Sequence, residues 1–221
     1  MSNKQSDILQ NEYQLRFEKN NDYRNNVWKI LCNNYFKKYV PFNSKILDLG
    51  AGWGEFINNI ETETKFAMDL NPDTKMHLLD QIKFIHQDCS SKWELKENSL
   101  DIVFTSNFLE HLPDKAHVEE TISEVYRCLK DNGLFILLGP NIKYTKGEYW
   151  DFWDHYIPLT ELSISELLKM KNFKINKCIP RFLPYSMSSG KNPPLLFLKM
   201  YLKLPILWPL FGKQFFIIAQ K

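Results

Sequence analysis

The stretch KILDLGAGWGEF, residues 45–56, constrains the fold more than any other part of the sequence. An apolar run reaches Asp48, and three glycines follow at every second position, Gly50, Gly52 and Gly54. A strand, a glycine-rich turn and a helix in this order form a ligand-binding turn, because glycine lets the backbone approach a ligand closely. The spacing differs from the G-x-G-x-x-G of dinucleotide sites, and a carboxylate just before it suits a cationic ligand better than a pyrophosphate.

Short apolar segments alternate with segments of helical period along the chain. The apolar segments predict buried strands at 44–50, 65–70, 82–88, 100–107, 134–141, 173–179 and 213–221. The helical segments predict helices at 23–40, 73–80, 114–130 and 159–172, the last opened by Thr160 or Ser163. Strands that alternate with helices predict an α/β fold with a mostly parallel sheet and right-handed crossovers.

The composition fits one globular domain with an ample core, because 44% of the 221 residues are hydrophobic. The 28 basic and 26 acidic residues give a net charge of +2, which gives no reason to expect a nucleic-acid partner. The cysteines lie far apart without a CxxC pair, so we expect reduced thiols in a cytoplasmic protein. The polar stretch MSNKQSDILQNEYQ lacks the apolar region of a signal peptide, which supports the same location.

Aspartates end two further predicted strands. Asp69 follows Gly50 by 19 residues, the expected place for a carboxylate that accepts hydrogen bonds from ribose hydroxyls. Asp88 ends the third strand, where a carboxylate could accept a hydrogen bond from an adenine amino group. Each aspartate alone is equally well explained as a helix cap. A tight turn without a ligand is the less favoured explanation of the glycines. Three acids at consecutive strand ends beside a glycine turn indicate a nucleoside site.

The motifs of this region together resemble those of the class I S-adenosylmethionine-dependent methyltransferases. LDLGAGWGEF corresponds to the first motif of that family, AMDLNPD to the second and HQDCSS to the third. LDIVFTSNFLEHLPD corresponds to the fourth, and LKDNGLFILLGPN to the fifth strand with the turn before it. The resemblance covers about residues 24–141. It implies a Rossmann-like fold whose mostly parallel seven-stranded sheet has an antiparallel last strand and helices on both faces.

The resemblance also implies the cofactor, its contacts and a division of the chain. The cofactor would be S-adenosyl-L-methionine, with S-adenosyl-L-homocysteine as the product. An N-terminal helical cap would span residues 1–40 and a methyltransferase domain residues 41–221, with an acceptor-binding insertion at about 141–160 and 180–211. The resemblance implies that Asp48, Gly50, Ala51 and Gly52 contact the methionine part of the cofactor and that Asp69 contacts its ribose. It also implies that Leu70, Asp88 and Cys89 contact the adenine and that Asn107 lies at the amino-acid end.

Methyl transfer to a hydroxyl needs a base, and two histidines are candidates. His111 follows the fourth predicted strand, and its pair with Glu110 resembles one in the ubiquinone-type O-methyltransferases, some of which hold a divalent metal there. That group has another glutamate where this chain has Asn107, so we expect no metal site. His155 lies after the fifth strand, with Asp154 beside it as a carboxylate neighbour. Either histidine would be the catalytic base.

The stretch YWDFWDHYIPLT, residues 149–160, stands where this family typically forms its acceptor pocket. Tyr149 and Trp153 would bind a sugar by stacking, although an aromatic lid packed into a local core explains the stretch equally well. Together with PRFLPYS and LKLPILWPLFGKQF it resembles a bacterial group often associated with cell-surface polysaccharide biosynthesis. In such an enzyme Arg181 would bind a phosphate of a nucleotide sugar or of a lipid carrier.

Residues 194–211, PLLFLKMYLKLPILWPLF, admit two interpretations. The lysines and prolines in the segment make it a poor membrane-spanning helix. It is either a core helix that precedes the last strand or an interfacial patch that contacts a membrane peripherally, with Lys199 and Lys203 near lipid headgroups and Tyr201 and Trp208 as anchors.

We therefore predict a cytoplasmic S-adenosylmethionine-dependent methyltransferase that methylates an oxygen of a small or glycan-like acceptor. The acceptor would be a sugar nucleotide, a saccharide or a lipid-linked saccharide, and N-methylation stays open from the sequence. One alternative is a nicotinamide-dependent oxidoreductase, which the glycine spacing and Asp48 disfavour. The other is a cofactor-binding protein without catalysis.

Overall fold

The fold is built on one mixed β-sheet. The computed structural model describes residues 10, 13–14, 20–185 and 192–221. The strands of this part are β1 Lys45–Leu49, β2 Thr64–Asp69, β3 Lys83–His86, β4 Leu100–Ser106, β5 Leu129–Pro140, β6 Lys174–Leu183 and β7 Gln214–Gln220. These seven described strands pair in the order β3-β2-β1-β4-β5-β7-β6. The first five are parallel and β7 is antiparallel to both of its neighbours, which confirms the predicted sheet.

Helices lie against both faces of the sheet. The α-helices are α1 Asn21–Asn34, α2 Glu55–Asn59, α3 Thr74–His77, α4 Lys115–Cys128, α5 Ile142–Thr145, α6 Glu161–Met170, α7 Leu195–Lys203 and α8 Trp208–Phe211. Short 3₁₀ helices are found at Phe36–Tyr39, Leu109–His111, Lys146–Asp151 and Pro205–Leu207. The helices predicted at 23–40, 114–130 and 159–172 are therefore present within one to six residues of their predicted ends.

The alternation of side chains along the strands creates two hydrophobic layers. Ile46 of β1 and Phe104 of β4 point toward the layer that contains α1 and α7. Their neighbours Leu47 and Val103 point toward the opposite layer, which contains α4 and α6. Because both faces of the central strands are covered, these strands read in the sequence as continuous apolar runs.

Local side-chain hydrogen bonds set the ends of two helices. Thr160 and Ser163 form a reciprocal capping box at the start of α6, so both residues that the sequence offered as helix openers take part. The helix predicted over 73–80 is shorter than expected, since α3 ends at His77. The Asn58 side chain accepts from the Leu79 N–H and donates to the His77 carbonyl, and this pair of bonds ends the helix after one turn.

Residues 194–211 pack against the sheet on one side and expose apolar side chains on the other. The Trp208 indole donates to the Tyr201 carbonyl, and the Tyr201 hydroxyl donates to the Phe182 carbonyl. These two aromatic side chains hold the segment against the sheet, so the prediction that they are membrane anchors is wrong. The large apolar side chains that the segment exposes are Leu196, Phe197, Met200, Leu204, Ile206, Leu210 and Phe211. Among the described residues, no helix is long and apolar enough to cross a bilayer.

The antiparallel β7 determines where the long connections lie. Its first residue, Gln214, pairs with Pro140 at the end of β5 and with Leu183 at the end of β6. The connection that follows β5 and the one that precedes β7 therefore both lie at the edge where the parallel strands end. In open α/β sheets this is the edge at which ligands bind.

We expect Phe104 to contribute strongly to stability. Its ring is fully buried and stacks on Phe56 with a centroid distance of 3.5 Å. Replacing it by alanine should lower the free energy of unfolding by about 3–5 kcal/mol, because the substitution leaves a cavity in the core. The matched control is Phe42→Ala, since Phe42 is 73% exposed, and its effect should stay within about 0.5 kcal/mol. Urea denaturation measures both; equal losses in the two variants would contradict this account of the core.

Candidate functional site

Main-chain hydrogen bonds hold the glycine turn at the ends of the central strands. The N–H groups of Gly50 and Ala51 both donate to the Met68 carbonyl in β2, at 2.9 and 3.1 Å. On the other side, the Thr105 hydroxyl of β4 donates to the Leu49 carbonyl at 2.8 Å. The turn is thus fixed to both neighbours of β1, and its position does not depend on a ligand.

The glycines of the turn are required for different reasons. Gly50, Gly52 and Gly54 have positive φ angles, which disfavour any side chain. A Cβ atom on Gly50 would lie 2.2 Å from the Phe108 ring, so this glycine lets the loop after β4 pack against the turn. A Cβ atom on Gly52 would meet no atom of the described residues within 4 Å. The backbone at Gly52 therefore faces open space, as a ligand-binding turn requires.

Asp69 at the end of β2 is tied directly to this turn. Its Oδ2 atom accepts from the Gly52 N–H at 2.8 Å and from the Tyr13 hydroxyl at 3.4 Å, and its Oδ1 atom accepts from the Asn71 N–H at 2.8 Å. Burial raises the pKa of Asp69 to about 6, although these hydrogen bonds work in the opposite direction. The predicted ribose-binding acid and the glycine turn thus form one unit.

Asp48 lies buried behind the turn. Burial raises its pKa well above the ordinary value, and the negative charges of Glu55 and Asp69 raise it further. Glu55 itself pairs with Arg24 of α1. Asp48 therefore belongs to a buried group of acidic residues that links the turn to α1. A cationic ligand at the turn would stabilise the ionised form of Asp48.

Asp88 and Cys89 follow β3 at the same edge. The Asp88 Oδ1 atom accepts from the backbone N–H and from the hydroxyl of Ser90, at 2.9 and 2.7 Å. The residues after it form turns, so Asp88 is not a helix cap. The buried Cys89 thiol accepts from the Thr121 hydroxyl, and burial raises the pKa of this thiol to about 12. Burial therefore keeps the Cys89 thiol neutral; the resemblance assigns the backbone N–H of this residue, and not its thiol, to the adenine.

Asn107 offers a buried acceptor beside the turn. It has a φ angle of 49°, and its backbone N–H donates to the Leu138 carbonyl. Its Oδ1 atom is buried and has no hydrogen-bond partner within the described part of the chain. A buried amide oxygen of this kind is costly without a donor, and the amino group of a methionine moiety is a suitable donor. Together with the space at Gly52, it shows that these residues fit the cofactor that the motifs imply.

A second cluster brings together the two histidines that the sequence offered as alternative bases. His111 Nδ1 lies 2.9 Å from Asp154 Oδ2 and 3.1 Å from the Asp154 carbonyl oxygen. The rings of His111 and His155 have a centroid distance of 4.8 Å. The Glu110 carbonyl accepts from the backbone N–H groups of Tyr156 and Ile157, which ties the loop after β4 to the insertion.

The predicted acceptor contacts lie in very different environments. Tyr149 is fully buried; its hydroxyl donates to the Ile157 carbonyl and accepts from the Leu159 N–H, so this ring packs into the local core. Trp153 is 90% exposed. The Arg181 guanidinium donates to the carbonyls of Gly212 and Leu210 and lies over the Tyr144 ring.

Two features of the site have no signal in the sequence. One is the Asp154 carboxylate, which contacts His111 across 43 residues of sequence rather than only standing beside His155. The other is the stacking of Trp53 on His77, with a centroid distance of 4.1 Å, at the outer side of the glycine turn. Both contacts join side chains that lie on different connections of the sheet.

Asp69 should make cofactor binding dependent on pH. Ribose hydroxyls donate to an ionised carboxylate, so the affinity for S-adenosylmethionine should fall below about pH 6, by up to about tenfold per pH unit. Calorimetric titrations from about pH 5 to about pH 8 measure this. Because the folded-state pKa is raised, Asp69 makes the ligand-free fold lose stability as the pH rises from about 4 to about 6, so its titration does not unfold the protein at low pH.

The control for this prediction is Asp69→Asn, which removes the titrating group. This variant should bind more weakly, and the pH dependence attributed to Asp69 should disappear. A wild-type affinity that stays constant between about pH 7 and about pH 5 would refute the assignment of Asp69 as the ribose ligand.

Comparisons with known proteins agree with this geometry. Residues 47–137 match the family model described as a methyltransferase domain, and no curated protein matches the chain. A solved S-adenosylmethionine-dependent methyltransferase from Archaeoglobus fulgidus has a TM-score of 0.64 and 21% sequence identity, over 87% of this chain and 94% of that one. One from Methanosarcina mazei has a TM-score of 0.61 and 17% identity, over 83% and 95%.

The same fold is also found in a protein with another activity. The [4+2]-cyclase SpnF has a TM-score of 0.59 and 14% sequence identity, over 89% of this chain and 80% of that one. At such identities the likeness concerns the fold, and the reaction has to be argued from the site. Residues 47–137 match a methyltransferase domain, the chain has the class I methyltransferase fold, and S-adenosylmethionine is the cofactor that these findings support.

Proposed function

We propose that this protein is a cytoplasmic O-methyltransferase that modifies a glycan-like acceptor in cell-surface polysaccharide biosynthesis. The acceptor would be a sugar nucleotide, a saccharide or a lipid-linked saccharide. The observation that carries the proposal is the His111–Asp154 pair, because a base that is oriented by a carboxylate serves transfer to a hydroxyl. Binding without catalysis would not require this pair, and the match to a methyltransferase domain disfavours a nicotinamide-dependent reaction.

The cofactor would be held by the turn and the acids around it. When bound, S-adenosylmethionine supplies an electrophilic methyl group on a sulfonium. The backbone from Gly50 to Gly52 would contact the methionine part, and Asn107 Oδ1 would accept from its amino group. Asp69 would accept from the ribose, and Asp88 would accept from the adenine amino group.

His111 is the better of the two candidate bases. We assign its proton to Nδ1, because the Oδ2 atom and the carbonyl oxygen of Asp154, which lie near this atom, are both acceptors. In this tautomer Nε2 would take the proton of the acceptor hydroxyl. The His111 side chain is partly exposed, so an acceptor could reach it. His155, in contrast, is only 5% exposed and packs between Phe152 and Tyr149. We therefore assign His155 to the support of His111.

Exposed aromatic side chains of the insertion suit a saccharide. Trp153 is almost fully exposed, and Trp150 and Tyr156 are more than half exposed. Flat aromatic faces that remain open to solvent can stack on the apolar face of a sugar ring. Two guanidinium N–H groups of Arg181 donate to the carbonyls of Gly212 and Leu210, and its other N–H groups would donate to a phosphate.

His111→Ala should remove the general base. The expected result is a fall in kcat of about 100- to 10,000-fold with an acceptor saccharide, while the affinity for S-adenosylmethionine changes little. Asp154→Asn should lower kcat less, because it disturbs the orientation of the base and leaves the imidazole in place. Release of S-adenosylhomocysteine measures turnover on a panel of sugar nucleotides and free saccharides, and mass spectrometry of the product distinguishes O-methyl from N-methyl.

The chain offers a matched control for these variants. His117 pairs with Asp114 at 2.8 Å, but this histidine–aspartate pair lies on the surface at the start of α4. His117→Ala should leave kcat unchanged. A His111→Ala variant that turns over as fast as His117→Ala would refute the assignment of the base.

We infer further that residues 194–211 contact an anionic membrane peripherally. Seven exposed apolar side chains lie in this segment, among them Ile206 at 79% and Phe197 at 61% exposure. The segment contains no acidic residue, and its lysines, Lys199 and Lys203, are exposed. An apolar surface flanked by positive charge matches anionic headgroups over an acyl region. The segment leads into β7 at the sheet edge that carries the site, so a lipid-linked acceptor would be presented on the correct side.

Two pairs of exposed apolar residues test the membrane proposal. Phe197→Asp combined with Ile206→Asp should abolish co-sedimentation with vesicles that contain phosphatidylglycerol. Leu162→Asp combined with Met170→Asp is the control, because these two residues are also well exposed, at 64% and 69%, but lie on α6. Co-sedimentation should weaken with salt, since part of the attraction is electrostatic. If the wild-type protein does not pellet with these vesicles, or if both double variants behave alike, the proposal is wrong; sedimentation velocity without vesicles detects self-association through the same surface.

A further inference from the structure

We propose that Glu110, His111 and His155 form a binding site for one divalent transition-metal ion, and that Zn²⁺ fits it best. In each of the three side chains, one potential ligand atom lies within 4.8 Å of the other two. Two imidazoles and one carboxylate are a ligand set of catalytic zinc sites, which keep a fourth position for water or substrate. An all-oxygen set would suit Mg²⁺ or Ca²⁺ instead.

The distances are close to those of a tetrahedral site. Glu110 Oε1 lies 4.0 Å from His111 Nε2. Two ligands of a tetrahedral zinc ion are about 3.4 Å apart, as bond lengths of about 2.0–2.1 Å require. The three ligand atoms lie within 4.8 Å of one another, so side-chain rotations that bring them together by up to about 1.4 Å would complete the coordination. The main-chain bonds from Tyr156 and Ile157 to the Glu110 carbonyl already hold the contributing segments in place.

The surroundings of His111 support a metal ligand. Asp154 contacts its Nδ1 atom, which leaves Nε2 directed at the carboxylate of Glu110. A carboxylate that accepts the second N–H of a ligating histidine is the usual outer partner in zinc sites, where it fixes the ring and increases its basicity. In their ionised forms the carboxyl groups of Glu110 and Asp154 would balance the charge of the ion. Glu110 is 1% exposed, so the ion would be shielded from bulk water on that side.

The proposal deepens the proposed function, since it concerns the histidine that we assign as base. With an ion bound, His111 Nε2 would be a ligand and could no longer take the proton. The acceptor hydroxyl would occupy the fourth position, where the positive charge would lower its pKa, and its proton would pass to water at the partly exposed side of His111. The sequence led us to expect no metal because of Asn107; His155 supplies a ligand from a segment that lies 44 residues beyond His111.

Metal binding is measured without acceptor or cofactor, so that it does not depend on methyl transfer. The protein is stripped with a chelator in a Cys178→Ser background, because Cys178 is the exposed thiol of the four free cysteines. Calorimetry with Zn²⁺ and visible spectra with Co²⁺ should show one equivalent bound in tetrahedral geometry, and Mg²⁺ should not compete. Glu110→Gln and His155→Ala should each weaken binding at least about tenfold, and Asp154→Asn about 10- to 100-fold. His117→Ala is the control and should bind like wild type.

The outcomes separate this proposal from the proposed function. Absence of stoichiometric Zn²⁺ and Co²⁺ binding, or equal binding in Glu110→Gln and in the His117→Ala control, overturns the metal site. Circular dichroism confirms that each variant is folded. Methyl transfer that persists in the presence of chelator also overturns the role of the ion in the reaction, and it leaves His111 as the base. Tight binding without any methyl transfer would support the site and reject the proposed function.

Discussion

The hydrogen bond from the Gly52 N–H to Asp69 is the interaction on which the rest of the site depends. It is 2.8 Å long and joins the turn after β1 to the acid at the end of β2. Such a bond requires β1 and β2 to be parallel and in the observed register, with Leu49 opposite Met68. It also requires a positive φ angle at Gly52, which glycine adopts without strain. The sheet register, the glycine turn and the position of Asp69 are therefore consequences of one local geometry.

Much of this half of the molecule could be predicted from the sequence because its signals are local. The apolar run before Asp48, the spacing of the glycines and the acids at strand ends all follow from residues that are adjacent in the chain. The ends of helices were harder to predict where a side chain from another element determines them. The Asn58 side chain ends α3 after one turn, and nothing in residues 73–80 indicates this. The burial of the central strands, in contrast, could be predicted from their continuous apolar residues.

The cluster around His111, Asp154 and His155 could be predicted only in part, because its contacts join distant segments. No pattern in the sequence indicates that Asp154 orients His111, or that His155 lies beside the same ring. The aromatic stretch 149–160 had two interpretations, and the structure divides it between them: Tyr149 is a core residue, whereas Trp153 is exposed. Residues 194–211 also had two interpretations, because hydrophobicity alone does not distinguish a helix face that covers the sheet from one that faces solvent. Tyr201 and Trp208 pack inward because each has a main-chain carbonyl to bind.

The position of β7 between β5 and β6 has a consequence for how such a protein can diversify. Pro140 and Gln214 are paired neighbours in the sheet, so residues 141–213 leave the sheet and return to it at almost the same point. This excursion carries the insertion and the exposed apolar segment, whereas β1 to β4 carry the turn and the acids. Substitutions and insertions can therefore remodel this excursion while β1 to β4 keep their register.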